Sequence, residues 1–90
     1  MSEFIGIDVS KARLDVAAYS GSGFAVENTE ADIGQLCEQL KALAPELVVM
    51  EASGGYERLC VAALAAAGLP VALVNPRQVR DFARAKGLLA

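Results

Sequence analysis

The strand that organises the fold is an apolar stretch near the start of the chain, Phe4-Ile5-Gly6-Ile7-Asp8-Val9. Successive side chains of a strand point to opposite faces, so Ile5, Ile7 and Val9 share one face and Asp8 lies on the other. Apolar groups on both faces are typical of a strand in the middle of a sheet. We therefore predict a central first strand in which one carboxylate interrupts the apolar pattern.

Two more strands complete an antiparallel meander. Residues 12–19 alternate between apolar and polar side chains, which is typical of a half-exposed strand. The Ser-Gly-Ser-Gly sequence at residues 20–23 predicts a tight turn, and residues 24–27 return as a third strand.

From residue 28 onward the apolar residues recur at helical spacing. Asn28-Thr29 can cap a helix that ends before Pro45. The remaining patterns predict a buried strand over residues 47–50 and an alanine-rich helix over residues 56–67. A second buried strand over residues 71–74 and a last helix over residues 76–86 follow.

The resulting order, βββαβαβα, predicts an α/β fold. A meander followed by right-handed crossovers gives a mixed five-stranded sheet with the first strand in the centre and helices on both faces. This is the ribonuclease-H-like architecture, which actin-like ATPases share as a half-domain.

Length and composition limit the class of protein. With 90 residues, 54% of them hydrophobic, the chain suits one small globular domain. No apolar run reaches the roughly 18 residues of a membrane helix and no signal peptide is visible, so we expect a soluble cytoplasmic domain. Cys37 and Cys60 fall in apolar helical patterns and are expected to be buried thiols. The absence of histidine excludes catalysis or zinc binding by that residue.

Charge is unevenly distributed along the chain. Residues 1–75 contain four basic and ten acidic residues, whereas residues 76–90 contain four basic residues and one acidic residue. Arg77, Arg80 and Arg84 lie at positions i, i+3 and i+7 of the predicted last helix. Charge alone favours a solvated outer face for that helix, and a restricted contact with nucleic acid is the alternative.

Carboxylates are the candidates for chemistry. Asp8 and Glu51 lie in or directly after strands predicted to be neighbours, so both can converge at one end of the sheet. Carboxylate oxygens suit Mg²⁺ or Mn²⁺, and such ions serve phosphodiester chemistry. Capping of turns at the strand ends explains the two residues equally well.

Three other features are less specific. Asp15 is expected to be a solvated residue of the second strand, and Glu57 a favourable charge in the first turn of a helix. The Ser-Gly-Gly sequence at residues 53–55 can either seat a phosphate on free backbone amides or form a simple turn.

Three motifs in order add a family resemblance. They are Gly6-Ile7-Asp8-Val9-Ser10-Lys11 with Leu14-Asp15-Val16, then Met50-Glu51-Ala52-Ser53-Gly54-Gly55-Tyr56-Glu57, then the segment from Val74-Asn75-Pro76-Arg77 to Gly87. Together they cover nearly the whole chain and resemble the DEDD-type insertion-sequence transposases, the group that includes the pilin-gene invertases. The resemblance implies that residues 1–90 are the N-terminal part of a RuvC-like domain of a site-specific DNA recombinase.

The resemblance also implies a metal site. In that family four acidic residues hold the metal ions, and by motif match Asp8 is the first and Glu51 the second, which makes both catalytic. The last two belong to a Lys-Thr-Asp-x-x-Asp segment that does not occur in these 90 residues. We therefore expect Mg²⁺ or Mn²⁺ to require the complete tetrad, and we expect the 90-residue chain to be a truncated piece that does not cleave DNA.

The implied partners are DNA and a structured guide RNA. The resemblance raises Arg77, Arg80 and Arg84 to expected phosphate contacts and makes Lys11 a weaker candidate for the same role. Self-association is also expected, because a truncated domain leaves a sheet edge exposed.

Two other functions stay open. One is half of an actin-like sugar or acid kinase with Asp8 near Mg²⁺, although the bulky and basic residues 9–13 replace the small-residue hairpin which that function needs. The other is a non-catalytic binding or assembly module with the same fold.

Overall fold

The computed structural model describes residues 3–75, and seven elements occur in that range. They are β1 (Phe4–Val9), β2 (Arg13–Ala18), β3 (Gly23–Glu27), α1 (Glu30–Leu43), β4 (Leu47–Glu51), α2 (Arg58–Ala66) and β5 (Val71–Val74). The predicted type and order of these seven elements are confirmed. The predicted helix over residues 76–86 lies outside the described residues.

The five strands form one mixed sheet in the order β3-β2-β1-β4-β5. β1 is central, as predicted: it pairs antiparallel with β2 and parallel with β4. In the β1–β2 ladder Asp8 is directly opposite Asp15. In the β1–β4 ladder the last pair is Ile7 with Met50, one residue before Asp8 and one residue before Glu51.

Both described helices pack on one face of this sheet. The core combines alternate residues of β1, β2 and β4 with the buried residues of α1 and α2, namely Ile5, Ile7, Val9, Leu14, Val16, Ile33, Leu36, Cys37, Leu40, Val48, Met50, Cys60 and Leu64. The topology explains this arrangement, because α1 and α2 both carry the chain in the same direction across the sheet. Right-handed crossovers that run in one direction place their helices on the same face.

The opposite side of the sheet, called the far face here, carries the alternate residues Gly6, Asp8 and Glu51. We predicted helices on both faces of the sheet. The two described helices cover one face, and the element predicted to follow β5 lies beyond residue 75. Neither described helix is long and apolar enough to cross a membrane.

The boundaries of α1 follow from local chemistry. Thr29 is the N-cap, and its hydroxyl accepts a hydrogen bond from the Asp32 backbone N–H at 3.3 Å. The C-cap is Ala44, which has a left-handed φ of 48° and donates its N–H to the carbonyls of Leu40 and Lys41. A left-handed alanine is strained, because its Cβ crowds the following carbonyl oxygen.

Candidate metal centre

Asp8 and Glu51 occupy matching positions on neighbouring strands. Each follows a member of the Ile7–Met50 pair, whose side chains lie in the core, so strand alternation places both carboxylates on the far face. Neighbouring strands are roughly 4.8 Å apart, which brings the two residues side by side. The register therefore places Asp8 and Glu51 at neighbouring positions on adjacent strands, as predicted from the sequence.

Asp15 adds a third carboxylate to the same region. It is directly opposite Asp8 on β2, and together with Asp8, Glu51 and Arg13 it lines a depression on the far face. The Asp15 side chain is 48% exposed, so it is in contact with solvent as predicted, and it also faces Asp8 across the ladder. The sequence could have indicated this position of Asp15, because the register of the predicted meander decides which residues of β2 lie opposite those of β1.

Arg13 forms an ion pair with Asp15. The Arg13 Nε and Nη2 atoms donate to the same Asp15 carboxylate oxygen at 3.0 and 2.8 Å. The hydrogen bond to Asp15, and then its charge, raise the pKa of Arg13. Because both side chains are well exposed to solvent, this ion pair contributes little to stability. Within residues 3–75 no group of three or more acidic, cysteine or histidine side chains is placed to hold a metal ion.

The donor set of Asp8 and Glu51 suits half of a divalent metal site. Carboxylate oxygens are the hard ligands that Mg²⁺ and Mn²⁺ prefer. Mg²⁺ prefers six oxygen ligands, and Asp8 and Glu51 would supply only part of such a set. The chemistry of the residues present thus fits such an ion, and further ligands are needed to hold it tightly.

Beyond Glu51 the chain forms a tight loop that is organised by Glu57. One oxygen of the Glu57 carboxylate accepts hydrogen bonds from the Ser53 N–H at 2.8 Å, the Ser53 hydroxyl at 3.0 Å and the Gly55 N–H at 3.1 Å. The Ser53 amide contributes most to lowering the pKa of Glu57 to about 2. These donors favour the ionised form of the carboxylate.

This loop rules out one of the two interpretations of the Ser-Gly-Gly sequence. The amides of Ser53 and Gly55 are already occupied by the protein's own carboxylate, so they are not free to seat a phosphate. Gly54 and Gly55 have φ values of 72° and 110°, a backbone conformation that favours glycine. Their turn lets the Glu57 side chain reach back to the Ser53 and Gly55 amides. For that reason α2 begins at Arg58, whereas the sequence predicted a start at Tyr56.

The predicted Asn28-Thr29 cap is confirmed at Thr29, and the Asn28 side chain has a further role that was not predicted. Its Nδ2 donates to the backbone carbonyls of Ser10 and Tyr56, both at 3.0 Å. Two facing carbonyls fix the orientation of the amide, because only the nitrogen can donate. The other atom, Oδ1, is buried and has no hydrogen-bond partner within residues 3–75. The two residues that Asn28 contacts are 18 and 28 positions away in the sequence. Such distant contacts leave no local sequence pattern, so this role of Asn28 was not predicted.

The candidate nucleic-acid contacts are only partly described. Lys11 is exposed in the bend between β1 and β2, just beyond the strand that carries Asp8. That bend is closed by Ser10, whose N–H and hydroxyl both donate to the Arg13 carbonyl, at 2.9 and 3.0 Å. Arg77, Arg80 and Arg84 lie outside the described residues.

Comparison with known proteins supports the fold and supplies a family. A family model described as a transposase, of the DEDD type named for IS110, matches residues 5–87. Among solved structures, T. thermophilus RuvC in complex with Holliday junction substrate is similar, with a TM-score of 0.68 at 19% sequence identity. The match covers 90% of this chain and 69% of that chain. It confirms the predicted ribonuclease-H-like, RuvC-like fold class. No match was found among curated proteins.

Proposed function

From the premise that the chain belongs to the IS110-type DEDD transposase family, we propose that residues 1–90 are the N-terminal part of a RuvC-like domain that acts on DNA during transposition. One observation carries this proposal. Asp8 and Glu51 lie side by side on the far face, each one residue beyond the last pair of the β1–β4 ladder. The family membership leaves no support for the alternative of an actin-like kinase.

In this function Asp8 and Glu51 hold a divalent cation, Mg²⁺ or Mn²⁺. The cation, when bound, supplies Lewis-acid activation of the attacking and leaving oxygens in phosphodiester exchange. Asp8 and Glu51 would hold the cation at this end of the sheet. Asp15 is paired with Arg13, and the family motif assigns the ligand roles to Asp8 and Glu51.

The substrate in this proposal is DNA. Lys11 and the arginines Arg77, Arg80 and Arg84 contact its phosphates, which fixes register and orientation without reading sequence. Support comes from the family and from the RuvC structure, which is described as a complex with a Holliday junction substrate. A structured guide RNA remains part of the proposal through the family resemblance.

Mn²⁺ titration of the 90-residue chain, followed by ¹H–¹⁵N NMR, tests the metal site directly. The paramagnetic ion broadens the amide signals of residues near it. The complete tetrad is expected for tight binding, so with two carboxylates we expect only weak Mn²⁺ binding, seen at excess Mn²⁺ as broadening centred on Asp8 and Glu51 that Asp8→Asn and Glu51→Gln each reduce. The exposed Glu46→Gln variant is the matched control, because it also removes one carboxylate charge and should leave the broadening unchanged. Broadening that persists in both site variants rules out these residues as ligands.

DNA binding is tested by fluorescence anisotropy with a branched duplex over a series of salt concentrations. Loss of one phosphate contact should weaken binding to all sequences and reduce the salt slope by about one. We expect this for Lys11→Ala and for Arg80→Ala. An unchanged salt slope in either variant removes that residue from the proposed interface.

We also propose that these 90 residues do not cleave DNA by themselves. They supply two of the family's four acidic residues, and one pair of carboxylates completes only part of the metal shell. The measurement is an incubation of branched DNA with the chain and Mn²⁺. Cleavage that Asp8→Asn abolishes would show that two acidic residues are enough.

A second candidate function, assembly through a sheet edge, has one observation in its favour. β3 is the outermost strand on its side of the described sheet, and Phe24 on β3 and nearby Tyr19 are exposed large apolar residues. Exposed strand edges with apolar side chains favour self-association. Light scattering over a concentration series measures this, and a mass that stays monomeric throughout rules it out.

A further inference from the structure

The two segments that follow Asp8 and Glu51 are joined by side-chain hydrogen bonds rather than by the sheet. We propose that Asn28 and Glu57 are positioning residues that hold these two segments in one fixed relative arrangement. The inference rests on the proposed function, because it assigns the two residues to the geometry of the proposed metal ligands. Neither residue is proposed to touch the metal or the substrate.

The ladders of the sheet show why such a connection is needed. β1 and β4 pair directly only as far as Ile7 and Met50. Beyond that point β1 stays paired with β2, and β4 stays paired with β5, where Ala52 donates its N–H to Val74. The two carboxylates therefore lie one residue past the last direct pairing between their strands.

Glu57 fixes the segment after Glu51. Ser53, two residues beyond Glu51, donates both its N–H and its hydroxyl to one Glu57 oxygen, and Gly55 donates its N–H to the same oxygen. Three donors on one carboxylate oxygen tie Ser53 and Gly55 to Glu57. The position of Ser53 is thereby tied to the start of α2.

Asn28 continues the connection to β1. Its Nδ2 donates to the carbonyl of Tyr56, the residue before Glu57, and to the carbonyl of Ser10, two residues beyond Asp8. The Asn28 backbone N–H also donates to Ala12, which holds the asparagine itself in place. Hydrogen bonds thus run from the segment after Glu51 to the segment after Asp8, through Glu57 and Asn28.

Amide hydrogen exchange on the metal-free chain tests the connection. Asn28→Ala should speed exchange at the Ser53 amide, which Asn28 does not touch. Glu57→Ala should speed exchange at the Ser10 amide, which Glu57 does not touch. Ile33→Val is the control, because it shortens a buried side chain of α1 and removes none of the hydrogen bonds of this connection. If each variant changes exchange only at its own contacts, the two residues act separately and the proposal is wrong.

Mn²⁺ affinity tests the consequence for the metal ligands. Loss of a residue that orients metal ligands typically weakens binding by about 10-fold or more. We expect that loss for Asn28→Ala and Glu57→Ala, substantial recovery in Glu57→Gln, which retains an acceptor oxygen, and no change in Ile33→Val. Wild-type affinity in Asn28→Ala and Glu57→Ala, together with lower melting temperatures, would assign them a purely structural role.

The two experiments separate this inference from the proposed function. If Mn²⁺ binding to the wild-type chain does not depend on Asp8, the proposed metal site fails. The exchange measurement still decides whether Asn28 and Glu57 connect the two segments. If Mn²⁺ binds through Asp8 and Glu51 while the variants leave exchange and affinity unchanged, the positioning inference fails and the proposed function stands.

Discussion

Asp8 stands between two other carboxylates on the far face, so replacing it should stabilise the metal-free chain. Asp15 is directly opposite on β2, and Glu51 occupies the matching position on β4. Asp8→Asn removes one of the three charges and keeps the size of the side chain. The variant therefore changes the electrostatics of the site with little effect on packing.

The expected gain is modest. Favourable cross-strand pairs are worth roughly 0.2–1 kcal/mol, and like charges directly opposite each other are destabilising. Arg13 already offsets Asp15, and Asp8 is exposed, so we expect about 0.5 kcal/mol. For a domain of this size about 1 kcal/mol moves Tm by ~4–8 °C, so the expected rise is roughly 2–4 °C.

Thermal unfolding followed by circular dichroism measures this effect at low and high salt, with Glu46→Gln as the control for loss of one negative charge. Salt screens exposed charges, so the rise in Tm should shrink at high ionic strength. Added Mn²⁺ should raise the Tm of the wild-type chain more than that of Asp8→Asn, because a ligand stabilises only a folded state that binds it. A Tm of Asp8→Asn at or below wild type at low salt would refute the argument from charge repulsion. Equal stabilisation of both chains by Mn²⁺ would remove Asp8 as a ligand.

Three other measurements test the surrounding structure. Ala44→Gly should raise stability by about 0.5–1 kcal/mol in a thermal melt, because glycine avoids a left-handed cost of about 1–2 kcal/mol but gains freedom in the unfolded chain. The pKa of Glu57 is about 2 when folded and 4.5 ordinarily, so its stabilising effect is present above pH 4.5 and lost as pH falls towards 2. Acid unfolding of Glu57→Gln should therefore depend less on pH in that window. Burial raises the pKa of Cys60 to about 11 and also raises that of Cys37, so a thiol reagent should label both slowly until urea unfolds the chain.

Periodicity was sufficient to predict the elements and the order of the central strands. Ile5, Ile7 and Val9 recur every second residue, and all three are buried in β1. In α1 the apolar residues recur at helical spacing, and Ile33 and Leu36 are buried. These signals are local, because each depends on one segment burying one face. The neighbouring positions of Asp8 and Glu51 followed from strand order alone.

Side-chain hydrogen bonds across the loops were not predictable in the same way. The start of α2 was predicted too early, because Glu57 binds the Ser53 and Gly55 amides instead of serving the first helical turn. Asn28 is a residue type common at helix caps, which is all that its local sequence indicates. Only the folded chain brings the carbonyls of Ser10 and Tyr56 to its side-chain amide. Both side chains act on residues whose positions depend on the whole fold, so no short window of sequence contains the information.

The alternation of side chains along β1 places the residues that stabilise the core on one face and the proposed metal ligand on the other. Ile5, Ile7 and Val9 are 2%, 3% and 8% exposed and form part of the core, whereas Gly6 and Asp8 between them face away from the helices. The same separation holds in β4, where Met50 is buried and Glu51 is not. A carboxylate variant on the far face therefore leaves the packed face intact. Because of this, a change in Mn²⁺ binding by Asp8→Asn or Glu51→Gln reports on the site, and a loss of folding in either variant would contradict the alternation on which the site is built.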